Sequence, residues 1–159
     1  MPRRRPGGRT ERVRKQVATA VLKLLEDGKT HFKYQDVADA SGVSKVTLYR
    51  RWPKRRDLLR EALTEHNAQF KIPSSNDWPR SAELMLRRFA AFVAGPAEIA
   101  MNVALISDPT DESSALMLTQ WDPIQEKIVS MARSAQASGE LPADLDPTAL
   151  MYMFMAPIL

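Results

Sequence analysis

The chain of 159 residues has no cysteine, which removes disulfide frameworks and thiolate metal sites and leaves the fold to packing alone. Histidine is nearly absent too. His31 and His66 stand far apart, with no partners at metal-ligand spacing, so both are read as surface residues and no metal or cofactor is expected. No stretch approaches the roughly 20 continuous apolar residues of a membrane span, and the Arg-rich start lacks the apolar core of a signal peptide. Apolar and polar residues nowhere alternate over a strand length. The six glycines form no phosphate-cradling loop, and no nucleophile and base stand at a recognisable spacing, which argues against an enzyme. Asp108, Asp111, Glu112 and Asp122 cluster in sequence, yet helix caps and loop solvation account for them. The expectation is a cytoplasmic, all-α protein with no membrane partner.

What the chain does have is charge, unevenly spread. Residues 1–60 hold 17 Lys/Arg against 6 Asp/Glu, a net +11, whereas residues 61–159 hold 6 against 13, a net −7. Such asymmetry pairs a cationic module for a polyanion with a module that stays off it. Duplex DNA and an anionic membrane surface both fit by sign alone.

Residues 1–8, MPRRRPGG, cannot bury apolar surface and are read as a disordered basic arm; Arg3, Arg4 and Arg5 suit either a minor-groove arm or an inert tail. From Arg9 or Thr10, Val13, Val17, Ala20, Val21, Leu24 and Leu25 recur at helical spacing until Gly28. A short helix from about Tyr34 to Ser41 carries Val37, Ala38 and Ser41 inward and stops at Gly42. Ser44 then caps a helix to about Arg51, and Pro53 forbids its continuation. Two short helices joined by a glycine-bearing turn form a helix-turn-helix, with Ala38 allowing close crossing and Val37, Val43 and Leu48 filling the shared core. Outward positions then read Lys45, Val46, Thr47, Tyr49, Arg50 and Arg51, a mixture of cations, hydroxyl, methyl and phenol suited to phosphates and base edges.

A fourth helix from Lys54 to Phe70 follows, with Leu58, Leu59, Ala62 and Leu63 on its buried side. The Pro/Ser/Asn-rich run at residues 71–77 marks a linker. Beyond it the spacing predicts helices from Pro79 to Ala94, from Pro96 to about Ile106, from about Ser113 to Trp121 after the loop SDPTDES, from an Asp122 cap to Ser138, and from near Pro147. The sequence stops inside the apolar run MYMFMAPIL without a polar cap, which is read as a missing C-terminal stretch.

The run DVADASGVSKVTLYRRWPKRRDLL resembles the DNA-binding signature of the tetracycline-repressor (TetR) family. The resemblance extends over about Arg9 to Ala62, and the GELPADLDP segment before an apolar helix is similar to the family's ligand-binding half. Two positions depart: Lys33 stands where the family places a Thr or Ser cap, and Val46 where it commonly has Gly or Ala. Residue by residue, the resemblance implies that Lys45, Val46, Thr47 and Arg51 face the groove and that Tyr49 reaches a phosphate. Tyr34, Gln35 and Arg55 would clamp the DNA backbone, with Arg50 and Lys54 in the same basic face, while Leu48 and Trp52 pack inside.

It also implies three parts: a basic arm at 1–8, a helix-turn-helix domain at 9–55, and a helical regulatory and dimerisation domain at 56–159 with the fourth helix as connector. The implied function is a ligand-responsive repressor that binds a palindromic operator as a homodimer and releases it to an unknown small-molecule effector. Met85, Phe89, Phe92, Met101, Leu105, Met117, Trp121 and Met131 are candidates to line the effector cavity, methionine and aromatic residues being suited to an adaptable apolar pocket. The competing readings are an activator or architectural DNA binder without ligand, a small helical enzyme of unknown substrate, and a peripheral membrane or partner-binding module.

Overall fold

A computed structural model describes residues 8–73, 77–107 and 111–156; the side chains of Arg9 and of residues 111–113 lie outside this description. Of the arm expected at residues 1–8, residues 1–7 are likewise outside it, as are Asp108 and the last three residues, whereas Gly8 opens the first helix. Among the described residues the elements are all helical: α1 (Gly8–Glu26), α2 (Tyr34–Ser41), α3 (Lys45–Arg51), α4 (Arg55–Gln69), α5 (Trp78–Val93), α6 (Pro96–Ile106), α7 (Asp111–Thr119), α8 (Asp122–Ala137) and α9 (Pro147–Met155). No single helix among them is long and apolar enough to cross a membrane.

Local chemistry sets most of these ends. The Ser44 hydroxyl accepts the Thr47 N–H at 3.3 Å, the Asp77 carboxylate accepts the Arg80 N–H at 3.0 Å, and the Asp146 carboxylate accepts the Thr148 N–H at 2.8 Å. Each satisfies one of the amides that a helix leaves unpaired at its start. Pro79 and Pro147 sit in the first turns of α5 and α9, where the missing N–H costs nothing.

Several ends, those of α1, α4, α5 and α8 among them, differ from expectation by a single residue, α7 stops at Thr119 rather than Trp121, and two starts differ for a physical reason. α7 begins at Asp111, inside the run read as a loop. The cap position of α8 is Trp121 rather than Asp122, because Trp121 keeps a helical backbone and its carbonyl accepts the N–H groups of Ile124 and Gln125, both at 2.9 Å. Asp122 is thereby shifted into the first turn, where its charge still favours the helix start.

The apolar stripes close over two cores. The first joins Val17, Val21 and Leu25 of α1 with Val37, Leu48, Trp52, and Leu58, Leu59, Ala62 and Leu63 of α4, and it is completed by Met101, Ala104 and Leu105 of α6. Each fully buried Leu, Val or Met contributes about 1.5–3 kcal/mol relative to exposure. α6, which follows the linker in sequence, therefore belongs by packing to the N-terminal core. The second core gathers Phe70, Met85, Phe89, Ile124, Ile128, Met151 and Met155 from α5, α8, α9 and the end of α4.

His66 is a correction. Expected at the surface, it is only 6% exposed, stacked on Phe92 with ring centroids 4.3 Å apart and 3.1 Å from Glu98 Oε2. The reason is periodicity: His66 and Asn67 follow Ala62 and Leu63 by one helical turn, so the buried face of α4 carries them inward.

Candidate nucleic-acid interface

The α2–α3 elbow turns at Gly42, whose φ of 69° lies in the left-handed region that a side chain disfavours; its N–H donates to the Ala38 carbonyl at 2.9 Å. Val43 then enters the core and Ser44 opens α3. Leu48 is fully buried and Trp52 nearly so, so one side of α3 is anchored. The Trp52 indole N–H donates to Glu61 Oε2 at 3.1 Å, and Glu61 Oε1 accepts the Arg14 Nε–H at 2.8 Å. Hydrogen bonding and charge attraction from Glu61 raise the pKa of Arg14 further above its ordinary value. One carboxylate thus ties α1, α4 and the end of α3. Sequence reasoning missed Glu61, whose signal was its place just after the arginine that ends a dense cationic run.

With that side fixed, Lys45, Val46, Tyr49 and Arg50 are all exposed, Val46 at 78% and Tyr49 at 51%. Two cations, a branched apolar side chain and a phenol share the outward face. Thr47 and Arg51 are half-buried: the Ser44 hydroxyl donates to Thr47 Oγ1 at 3.0 Å, and Arg51 Nη2 lies 3.4 Å from Thr10 Oγ1 on α1. Gln35 is exposed on the first turn of α2, its amide donating to Asp39 at 2.7 Å. Lys54 is exposed ahead of α4, its backbone N–H donating to the Asp57 carboxylate at 3.0 Å.

Two expected backbone clamps are turned inward. The Tyr34 hydroxyl donates to the Trp52 carbonyl at 2.6 Å while its ring stacks on Tyr49 at 4.0 Å. Its pKa is raised by burial, then by the Asp57 charge and by Tyr49. A phenol whose only proton is given to a carbonyl has none for a phosphate. Arg55 donates to the Thr30 carbonyl and lies over the Phe32 ring at 4.7 Å, so it braces the α1–α2 loop against α4. At Lys33 the missing side-chain cap is compensated from the other side: its backbone N–H donates to the Asp36 carboxylate at 2.7 Å.

The candidate cavity residues divide. Met85, Phe89, Phe92, Trp121 and Met131 pack in or against the second core, whereas Met101 and Leu105 are buried in the first core, with Met117 packed against it. Phe70 meets Phe89 and Phe92 edge-on at 6.0 and 5.4 Å, and Trp121 meets Phe89 at 5.7 Å. Beside this cluster runs a polar chain that sequence reasoning missed. Glu98 Oε1 accepts the Asn102 amide at 3.0 Å, Asn102 accepts the Gln120 amide at 3.2 Å, and the Gln120 backbone carbonyl accepts the Asn67 amide at 2.5 Å. A separate open groove lies between the segment after α4, α8 and α9, and of the expected cavity residues only Met131 lines it.

A family model described as "Tetracyclin repressor-like, C-terminal domain" matches residues 72–159, more than half of the chain, and one described as "Bacterial regulatory proteins, tetR family" matches residues 22–62. The chain belongs to the TetR family. Among curated proteins it is similar to the "DNA-binding transcriptional repressor TetR" of Mycobacteroides abscessus, 39% identical over 54 residues that make up 34% of this chain and 28% of that protein. It is also similar to the "HTH-type transcriptional regulator AqdR" of Rhodococcus erythropolis, 34% identical over 106 residues, 64% of this chain and 51% of that protein. The chain thus spans about half or less of the length of these relatives. The first of the two alignments is no longer than a helix-turn-helix unit with its flanking helices.

Proposed function

We propose that this chain is a DNA-binding transcriptional regulator, a repressor that holds a palindromic operator as a homodimer and releases it to a small-molecule effector. The observation that carries the reading is the outward face of α3: Lys45, Val46, Tyr49 and Arg50 exposed together on a helix anchored through Leu48 and Trp52. A major groove about 12 Å wide admits such a helix, and the mixed chemistry of its face suits both base edges and phosphates. The family membership and the named relatives support the same assignment. The open groove beside α8 and α9, with Phe70, Met131 and Met151 on its walls, supports an effector site in the second region. Only a difference in effector affinity between DNA-competent and DNA-incompetent forms releases the operator. DNA must then weaken effector binding by the factor by which effector weakens DNA binding.

Selection from a randomised duplex pool followed by footprinting tests the reading. The expected result is an enriched inverted repeat with half-site centres about 34–36 Å apart, or a multiple of that spacing. Recovery of no preferred sequence, or of a single unpaired half-site at all protein concentrations, would overturn it.

A further inference from the structure

A groove runs between the first turns of α1 and the α2–α3 elbow. Thr10, Arg12 and Gln16 line it from α1, and Thr47, Arg50 and Arg51 from α3. Among the described residues no Asp or Glu lines it. The groove beside α8 differs in kind, for there Lys71, Lys127 and Arg133 are balanced by Asp122, Glu126 and Glu140. The contrast also holds within α1: Arg14 is held by Glu61 and Glu11, whereas Arg12 is exposed on the groove side. Arg51, 3.4 Å from Thr10 across the groove, is half-buried in its lining, whereas Lys45, Val46 and Tyr49 on α3 are exposed and line no part of it.

We infer that this groove takes a backbone phosphate of the duplex and that Arg51 belongs to it rather than to the base-reading face. The inference rests on the DNA-binding reading above and adds α1 to the interface. Three guanidiniums, two hydroxyls and an amide offer donors to an anion whose oxygens only accept, and guanidinium matches phosphate in a two-pronged fashion. Steric fit points the same way. A helix with its side chains is about 10–12 Å across and nearly fills a groove about 12 Å wide. An element beside the reading helix therefore meets the strand backbone flanking that groove. Such a contact fixes register and adds affinity without sequence preference.

The test uses the whole chain, the duplex recovered by selection and an unrelated duplex of equal length, with affinity measured across a salt series. Arg12→Gln and Arg51→Gln are each expected to weaken both duplexes by the same factor and to reduce the slope of log K against log salt by about 0.9 for each phosphate no longer neutralised. The preferred sequence should not change. Arg12→Lys should keep the wild-type slope, and Gln16→Glu should weaken both duplexes by setting an anion in the groove. Thermal melts establish that each variant is folded. Arg12→Gln binding with wild-type affinity and slope, or an Arg51→Gln loss confined to the selected duplex, overturns the phosphate groove while leaving the regulator reading intact. A wild-type chain that shows no salt-dependent duplex binding removes both.

Discussion

Two regions of this molecule are built on different terms. Around α1, α3 and α4 the buried side chains are aliphatic apart from Phe32 and Trp52, and the polar groups there sit at the margin as braces, with Glu61 joining Arg14 to Trp52. Where α4 meets α5, α6 and α7, the interior instead takes in His66, Asn67, Ser81, Glu98 and Gln120. An aliphatic core has one dense packing and loses stability steeply when it is disturbed. A core with a buried carboxylate depends on a few directional contacts and has more to lose at single points. The reading unit is therefore rigid by packing, and where α4 meets α6 and α7 that apolar packing is joined by polar contacts that an altered arrangement of α4 would have to break.

The sharpest way to break this contrast is Glu98→Ala. Glu98 is 1% exposed; it accepts the Asn102 amide and lies 3.1 Å from His66. Removing one partner of a buried pair leaves the other uncompensated, and a loss of about 3–5 kcal/mol is expected in denaturant unfolding. Adding His66→Phe should recover part of that loss, since an apolar ring against Phe92 needs no partner. If the double variant is as unstable as the sum of the singles, the pair is not the contact that holds α4 to α6. Next in size is Leu48→Ala in the aliphatic core, with an expected cost of about 2–5 kcal/mol. No second substitution of a polar neighbour should rescue it, because the defect is an unfilled volume.

The same division separates what could be read from the sequence. Gly42, Ser44 and Pro53 act through steric and hydrogen-bonding rules that hold wherever they occur, so the elbow and the bounds of α2, α3 and α6 were legible. Boundaries failed where the rule has exceptions: Trp121 kept a helical backbone ahead of Asp122-Pro123. Side-chain direction was the larger gap. Tyr34 and Arg55 are chemically fit to hold phosphates, and contacts set by the tertiary fold, the Trp52 carbonyl for one and the Thr30 carbonyl and Phe32 ring for the other, turn them inward. His66 was legible in part, being in register with Ala62 and Leu63, but its partner Glu98 lies beyond the linker on another helix. The placing of Met101 and Leu105 against α1 depends on a long-range crossing that no local pattern encodes.

Smaller effects sharpen the comparison by separating stability from reading. Ser44→Ala removes the acceptor of the Thr47 N–H and should cost about 1 kcal/mol, with weaker binding to all duplexes because the start of α3 loosens. Val46→Ala should do the reverse. At 78% exposure the side chain contributes little to folding, so unfolding should shift by no more than about 0.5 kcal/mol. Repeating the randomised selection with this variant should change the preference at one base pair per half-site, as expected for a methyl-bearing side chain against a thymine methyl. An unchanged preference with unchanged stability would place Val46 outside the groove, and base reading on α3 would then rest with Lys45, Tyr49 and Arg50 alone.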